Sequence, residues 1–193
     1  MIHIRQERAA DVDARETLLD QAFGDTRYRK SSERLRENRL PAEGLAFIAA
    51  DGKQVVGTAR LWNVTCGTGT RALLLGPVAV SETRRGEGIG ADLVRRGVRE
   101  AKRLGYGAVI LVGDAPYYGR FGFTAEKTGA LWMPGPFERH RLLAVELAPG
   151  ALNGARGMIS PAGRPQTAVA SKVAIAAPHQ RARRAQRLGS HAA

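Results

Sequence analysis

The chain has 193 residues, 44% hydrophobic and 25% charged, with a formal net charge of +12 at pH 7. That length suits one domain with a real core plus an extension, and no apolar run approaches the roughly 20 residues that span a bilayer. The opening "MIHIRQERAADVD" lacks the apolar stretch of a secretory signal, and the single cysteine, Cys66, excludes an intrachain disulfide or a cysteine-based metal site, so a cytoplasmic protein without a metal is expected.

In chain order, the alternation in "IHIRQ" predicts a first strand over Ile2 to Gln6. "DVDARETLLDQAF" places Val12, Leu18, Leu19 and Phe23 at helical spacing, with Asp11 as the expected N-cap. "SSERLRENRL" predicts a second short helix, capped by Ser31 or Ser32 and followed by Pro41. Two strands around the turn "ADGK" read as a hairpin within "GLAFIAADGKQVVGTARLWNV". A further strand, "RALLLGPVAV", leads into "SETRRGEGIG" and then a helix from about Gly88 to Leu104, with Ile89, Leu93, Val94, Val98, Ala101 and Leu104 on its apolar stripe. "GAVILVGD" is a continuous apolar strand, buried on both faces. Asp114 and Pro116 then open a short helix through "PYYGRF". Two last strands are expected around "GALWMP" and "HRLLAVEL", making a mixed α/β sheet flanked by helices.

From about Asn153 the pattern dissolves into Ala- and Arg-rich chain with no aromatic residue. The expected division is a domain over 1–152 and a basic, largely disordered tail over 153–193. Residues 1–150 hold all 18 acidic residues against 23 Lys and Arg, whereas 151–193 hold seven basic residues and no acid. The tail is therefore the one feature that would draw nucleic acid, and its plainer reading is a solvated extension, so no nucleic-acid partner is expected.

The segment that asks for a ligand is "VAVSETRRGEGIGADLV", Val78 to Val94. Backbone amides at a helix N-terminus form an anion site, and Gly86, Gly88 and Gly90 leave those amides bare of β-carbons. Arg84 and Arg85 add full charges. A phosphate or pyrophosphate is the fitting guest. Gly86-x-Gly88-x-x-Ala91, with Asp114 beyond the next strand, also satisfies the dinucleotide fingerprint. Against that reading, "SETRR" separates the glycines from their strand, some 80 residues precede them, and too little chain follows for further parallel units.

Two motifs together carry a different resemblance. Arg85-Gly86-Glu87-Gly88-Ile89-Gly90 after "GPVAV", and "YYGRFGF" with Tyr118 four residues before Gly122 and then Phe123, resemble the signature segments of the GNAT N-acetyltransferase superfamily. The likeness covers roughly residues 1–150, and "LGPVAV", "GDAPYYGRFGF" and "LLAVELAPGAL" look like a branch of small bacterial members. The resemblance implies the GNAT fold, a mostly antiparallel central sheet splayed at an acetyl-CoA site, and no metal. It implies that the main chain of about Arg85, Gly86, Glu87, Gly88, Ile89, Gly90 and Ala91 grips the pyrophosphate. It implies that backbone groups of Val78 and Val80 bond the pantetheine arm, with the Val78 amide polarising the thioester carbonyl, and that Tyr118 protonates the departing thiolate. Pro77 suits an interrupted ladder.

The resemblance also implies direct acetyl transfer to a primary amine of a small molecule or protein, by a monomer or homodimer. Many relatives carry a glutamate on the central strand as base, and "RALLLGPVAV" has no acid. Glu82 and Glu43 are weak substitutes by position. His3 and His140 read as structural or surface residues, Tyr117 as core or surface, Asp114 as a helix cap and Cys66 as inert. The missing acid leaves a second reading open, a relative that binds acetyl-CoA or another acyl-CoA without turnover.

Overall fold

The computed structural model describes residues 1–67 and 69–166. Its strands are β1 (Ile2–Gln6), β2 (Ala46–Asp51), β3 (Gln54–Cys66), β4 (Thr70–Val80), β5 (Ala108–Val112), β6 (Leu131–Trp132), β7 (Leu142–Glu146) and β8 (Gly157–Pro161). The α-helices are α1 (Val12–Phe23), α2 (Ile89–Arg103) and α3 (Ala115–Gly119). The sheet runs β1-β2-β3-β4-β5-β7, with β8 against the end of β3 and β6 beside β8. All pairs are antiparallel except β4 with β5 and β6 with β8. The expected mixed, mostly antiparallel α+β sheet is therefore the one observed.

The alternation of apolar residues divides the core by face. Leu73 and Leu75 of β4 join Ile89, Leu93 and Val94 of α2 on one side. Leu74 and Ala72 join Trp62, Leu35 and Ile110 on the other. Leu18 and Leu19 of α1 pack on Ala79 farther along the strand. β5 is covered on both faces, and Ala108 to Leu111 are buried, as a parallel-paired central strand requires.

Charge fastens α1 to the sheet edge. Glu7 lies between the guanidinium groups of Arg15 and Arg60, and Arg15 continues to Glu16, which also holds Arg27 at 2.6 Å. Burial pushes the Glu7 carboxyl above its ordinary pKa, against the pull of Arg15.

Four local expectations change. Asp11 precedes α1, but its carboxylate makes no cap bond there; it accepts from the Arg8 amide at 2.8 Å and from both terminal nitrogens of Arg5. Asp114 likewise sits at the N-cap position of α3 without a side-chain cap bond. The second helix does not form: "SSERLRENRL" holds one turn of 3-10 helix, Glu33–Leu35, and then Asn38 turns at φ +53°. Only Leu35 of this stretch supplies a fully buried apolar anchor, and short helices depend on an apolar face for their stability.

The fourth change concerns the boundary at 152/153. The domain continues past it, because β8 pairs Ser160 with Thr65 and Ile159 with Cys66, and Met158 with Trp132. Ile159 is completely buried. Arg39 and Leu40 then pair with the backbone of Pro165 and Arg164. Residues 167–193, where the rest of the expected tail falls, lie outside the described residues.

Candidate active site

The sheet opens in mid-strand. β4 pairs with β5 only at Leu73↔Val109 and Leu74↔Ile110, while its antiparallel pairing with β3 runs on to Val80↔Gly57. Past Leu74, one edge of β4 has no strand beside it. The ladder with β3 is interrupted between Ala59 and Leu61, opposite the cis Gly76–Pro77 bond. Ser81 donates to the Val56 carbonyl at 2.8 Å. Antiparallel ladders alternate bonded and non-bonded pairs, so Ala79 faces Thr58 and the N–H and C=O of Val78 and Val80 face the open edge.

The chain then enters a 3-10 turn, Glu82–Arg84. Arg84 is not a free charge, since it bonds Asp51 at 2.6 Å and approaches Glu87 at 3.4 Å. Arg85 is exposed, with only a 3.5 Å approach to Glu82. The Arg85 amide donates to the Glu82 carbonyl at 3.3 Å, so its side chain, rather than its N–H, is available to an anion.

Gly86 and Gly88 have φ of +88° and +81°, in the left-handed region that glycine tolerates best. No atom lies within 4 Å of where their β-carbons would stand. Gly88 is the N-cap of α2, and the first helical bond runs from Asp92 back to its carbonyl. The amides of Gly88 to Ala91 consequently have no acceptor within the helix. The side chains of Ile89 and Ala91 are buried, and Ile89 holds this helix start on the core. Gly90 is small for a steric reason: its β-carbon would meet the Tyr117 hydroxyl at 3.2 Å and Val80 Cγ2 at 3.5 Å. Tyr117, read from sequence as core or surface, thus stands against the first turn of α2. Only the fold could show that contact.

Tyr118 occupies the far side of the opening. Its ring covers Gly113, where a β-carbon would come within 2.7 Å of Cδ2, and it packs edge-on to Tyr117 and Phe123. Its hydroxyl makes no hydrogen bond to the described residues. Burial, then the neighbouring Tyr117 hydroxyl, pushes its pKa up to about 12, with Arg141 pulling the other way. The group is a neutral donor across the physiological range.

Among the described residues none supplies an evident base. Glu43, Glu82 and Asp114 are exposed, as are His3 and His140, the latter 3.4 Å from Glu138. Cys66 is buried and its thiol is pushed up to about 11 by that burial, so it stays protonated. No cluster of His, Cys, Asp and Glu that could hold a metal occurs among the described residues. No helix among them is long and apolar enough to cross a membrane. A shallow cavity of about 400 Å³, lined by Lys127, Leu152 and Arg156 among others, shares no residue with the site.

A mixed sheet parted beside an arginine–glycine turn, with a neutral phenol across the gap, is the framework of acyltransferases that use a thioester carrier. The family described as the acetyltransferase (GNAT) domain matches residues 3–125, and the chain belongs to that family. The N-acetyltransferase YhbS of Escherichia coli K12 is 31% identical over 157 residues, covering 81% of this chain and 93% of the relative. The crystal structure of YhbS from Escherichia coli in complex with CoA superposes with a TM-score of 0.71 at 31% identity, over 83% of this chain and 89% of that one. A GNAT family acetyltransferase from Brucella melitensis in complex with acetyl-CoA gives a TM-score of 0.56 at 29% identity, over 75% and 96%.

Proposed function

We propose that this protein transfers the acetyl group of acetyl-CoA directly to a primary amine. The observation that carries the reading is the open edge of β4, running from Val78 and Val80 to the unpaired amides at the start of α2. In this reading the amides of Gly86 to Ala91 and the Arg85 side chain hold the pyrophosphate, and the Val78 and Val80 backbone bonds the pantetheine arm. The thioester carbonyl lies at the Val78 amide, where an N–H offsets the charge that develops on oxygen. The amine nitrogen attacks the carbonyl carbon, the C–S bond breaks, and the Tyr118 hydroxyl gives its proton to the leaving sulfur. The proton lost by the amine leaves through water or a main-chain carbonyl, since β4 bears no acid. YhbS with CoA and the Brucella relative with acetyl-CoA support the donor. A cytoplasmic location and a monomeric or dimeric state complete the reading.

The test measures free CoA thiol from acetyl-CoA with a panel of primary amines, alongside calorimetry of acetyl-CoA binding. Thiol release with one class of amine supports transfer. The acid-free β4 favours a second reading, an acetyl-CoA binder without turnover; submicromolar to micromolar binding with no thiol release from any amine would establish it.

A further inference from the structure

The face of β4 opposite α2 carries a guanidinium with unused donors beside the reaction strand. Leu35 anchors there with Trp62 and Leu74, and this brings the next residue, Arg36, over the interruption in β4. The Arg36 side chain is only 8% exposed, and its Nε bonds Glu33 at 2.6 Å. Nη1 lies 3.9 Å from where a Gly76 β-carbon would stand, two residues from Val78. Neither Nη1 nor Nη2 has a hydrogen-bond partner among the described residues. The Gly76 carbonyl accepts from Trp62 Nε1 at 2.6 Å, and the guanidinium makes no bond to it. The ion pair with Glu33 uses the Nε side of this nearly buried guanidinium, which leaves its two terminal nitrogens as donors for a further anion.

Two more cations stand around this space. Arg141 presents its carbonyl to the Gly113 amide at 2.9 Å, directly under the Tyr118 ring, and its Nε is buried without a partner. Lys30 packs its ammonium over the Phe23 ring at 4.5 Å and has no ion pair among the described residues. Partial burial and then the charges of Arg36 and Arg141 lower the Lys30 pKa. The nearby acids are committed: Glu33 to Arg36, Glu16 and Asp20 to Arg27, and Glu138 to His140 with Arg141 at 3.7 Å.

We propose that the acceptor is an amine that also bears a carboxylate, which seats on Nη1 and Nη2 of Arg36 while Lys30 and Arg141 supply the surrounding positive field. The planar fork of a guanidinium matches a carboxylate through two parallel N–H···O bonds. The same field repels polycationic acceptors such as polyamines and aminoglycosides. This substrate class rests on the acetyltransferase reading above, and it adds a selection that the cofactor site does not determine.

The experiment compares matched acceptors, amino acids against the amines formed by removing their carboxyl group, by kcat/KM in thiol release. Wild type is expected to favour the acid-bearing member by at least about tenfold, the scale of a charged hydrogen bond. Arg36→Gln should bring the ratio to within about threefold, chiefly through KM, with acetyl-CoA affinity unchanged; Arg36→Lys, which keeps the charge and loses the fork, should fall between. A wild-type preference for decarboxylated amines or polyamines overturns the proposal, and so does a ratio that survives in folded Arg36→Gln. Should no amine be turned over, the transfer reading fails separately. Calorimetry of N-acetyl amino acids and of their amides against the CoA-loaded protein then decides: acid-selective binding lost in the variant supports the anion subsite, and equal binding of acids and amides overturns it.

Discussion

Tyr118 illustrates how burial prepares a side chain for one task. Its ring is pressed onto Gly113, just past β5, and its hydroxyl makes no hydrogen bond to the described residues. Tyr118→Phe keeps the ring and removes only the proton, so kcat should fall by about 10²- to 10⁴-fold with acetyl-CoA affinity nearly unchanged; steady-state kinetics with calorimetry checks both. With a pKa pushed up to about 12, the phenol loses its proton only as pH rises through that value. No descending limb below about pH 10 should therefore arise from Tyr118 in the rate profile. The linkage has the same sign. The folded protein holds the Tyr118 proton more tightly than the unfolded chain does, so this contribution to stability is complete below about pH 10 and lost as pH rises toward 12.

Gly88 makes the complementary argument on the cofactor side. At φ +81° it caps α2 in a conformation that a β-branched residue resists by about 1–2 kcal/mol. Its open surroundings mean that a new side chain would intrude on the ligand rather than on the protein. Gly88→Val should weaken acetyl-CoA binding at least about tenfold while circular dichroism stays close to wild type. Both residues were singled out from sequence, because a tyrosine four positions before a glycine and a run of alternate glycines are local patterns. Arg36 and Tyr117 were not. Their roles come from contacts with Gly76 and Gly90, which lie 40 residues later and 27 residues earlier in the chain.

Among the secondary elements, those carrying a local pattern could be read even when short, as β1 and α3 were, and those without one could not. β2 through β5 and α2 follow from strict alternation, a turn signal or an apolar stripe. The helix expected at "SSERLRENRL" fails because a single buried leucine cannot hold a whole helical face. Asp11 shows a subtler miss: the residue stands where an N-cap belongs, yet it bridges β1 to the turn before α1 through Arg5 and the Arg8 amide. The hydrogen bond from Arg5 leads in holding its carboxyl down to about 2. A depressed pKa stabilises the fold above the unfolded value near 4, and that stability is lost as pH falls toward 2. Asp11→Asn should accordingly lower the urea midpoint at pH 7, and the gap from wild type should close between pH 4 and pH 2.

For the whole molecule, the boundary of the domain is where a local reading fails most. β8 is five residues, beginning with a glycine and ending with a proline, with one fully buried side chain. "GMISP" has no apolar–polar alternation to mark a strand, and it forms against the free edge of β3. Ile159→Ala should cost about 2–4 kcal/mol in urea unfolding, as a core isoleucine does; a loss under 0.5 kcal/mol would make β8 peripheral.

The parting of the sheet also has a mechanical meaning. β5 and β7 are joined to the other strands by a ladder of only two residue pairs, a narrow isthmus between two slabs. In the proposed reading, a thioester carrier lying in the cleft would act as a rivet across them, its amide-bearing arm taking over the bonds that a strand would have made. Acetyl-CoA should therefore raise the melting temperature in step with the logarithm of its concentration, and the amides of Val109 and Ile110 should exchange with deuterium more slowly once it is bound.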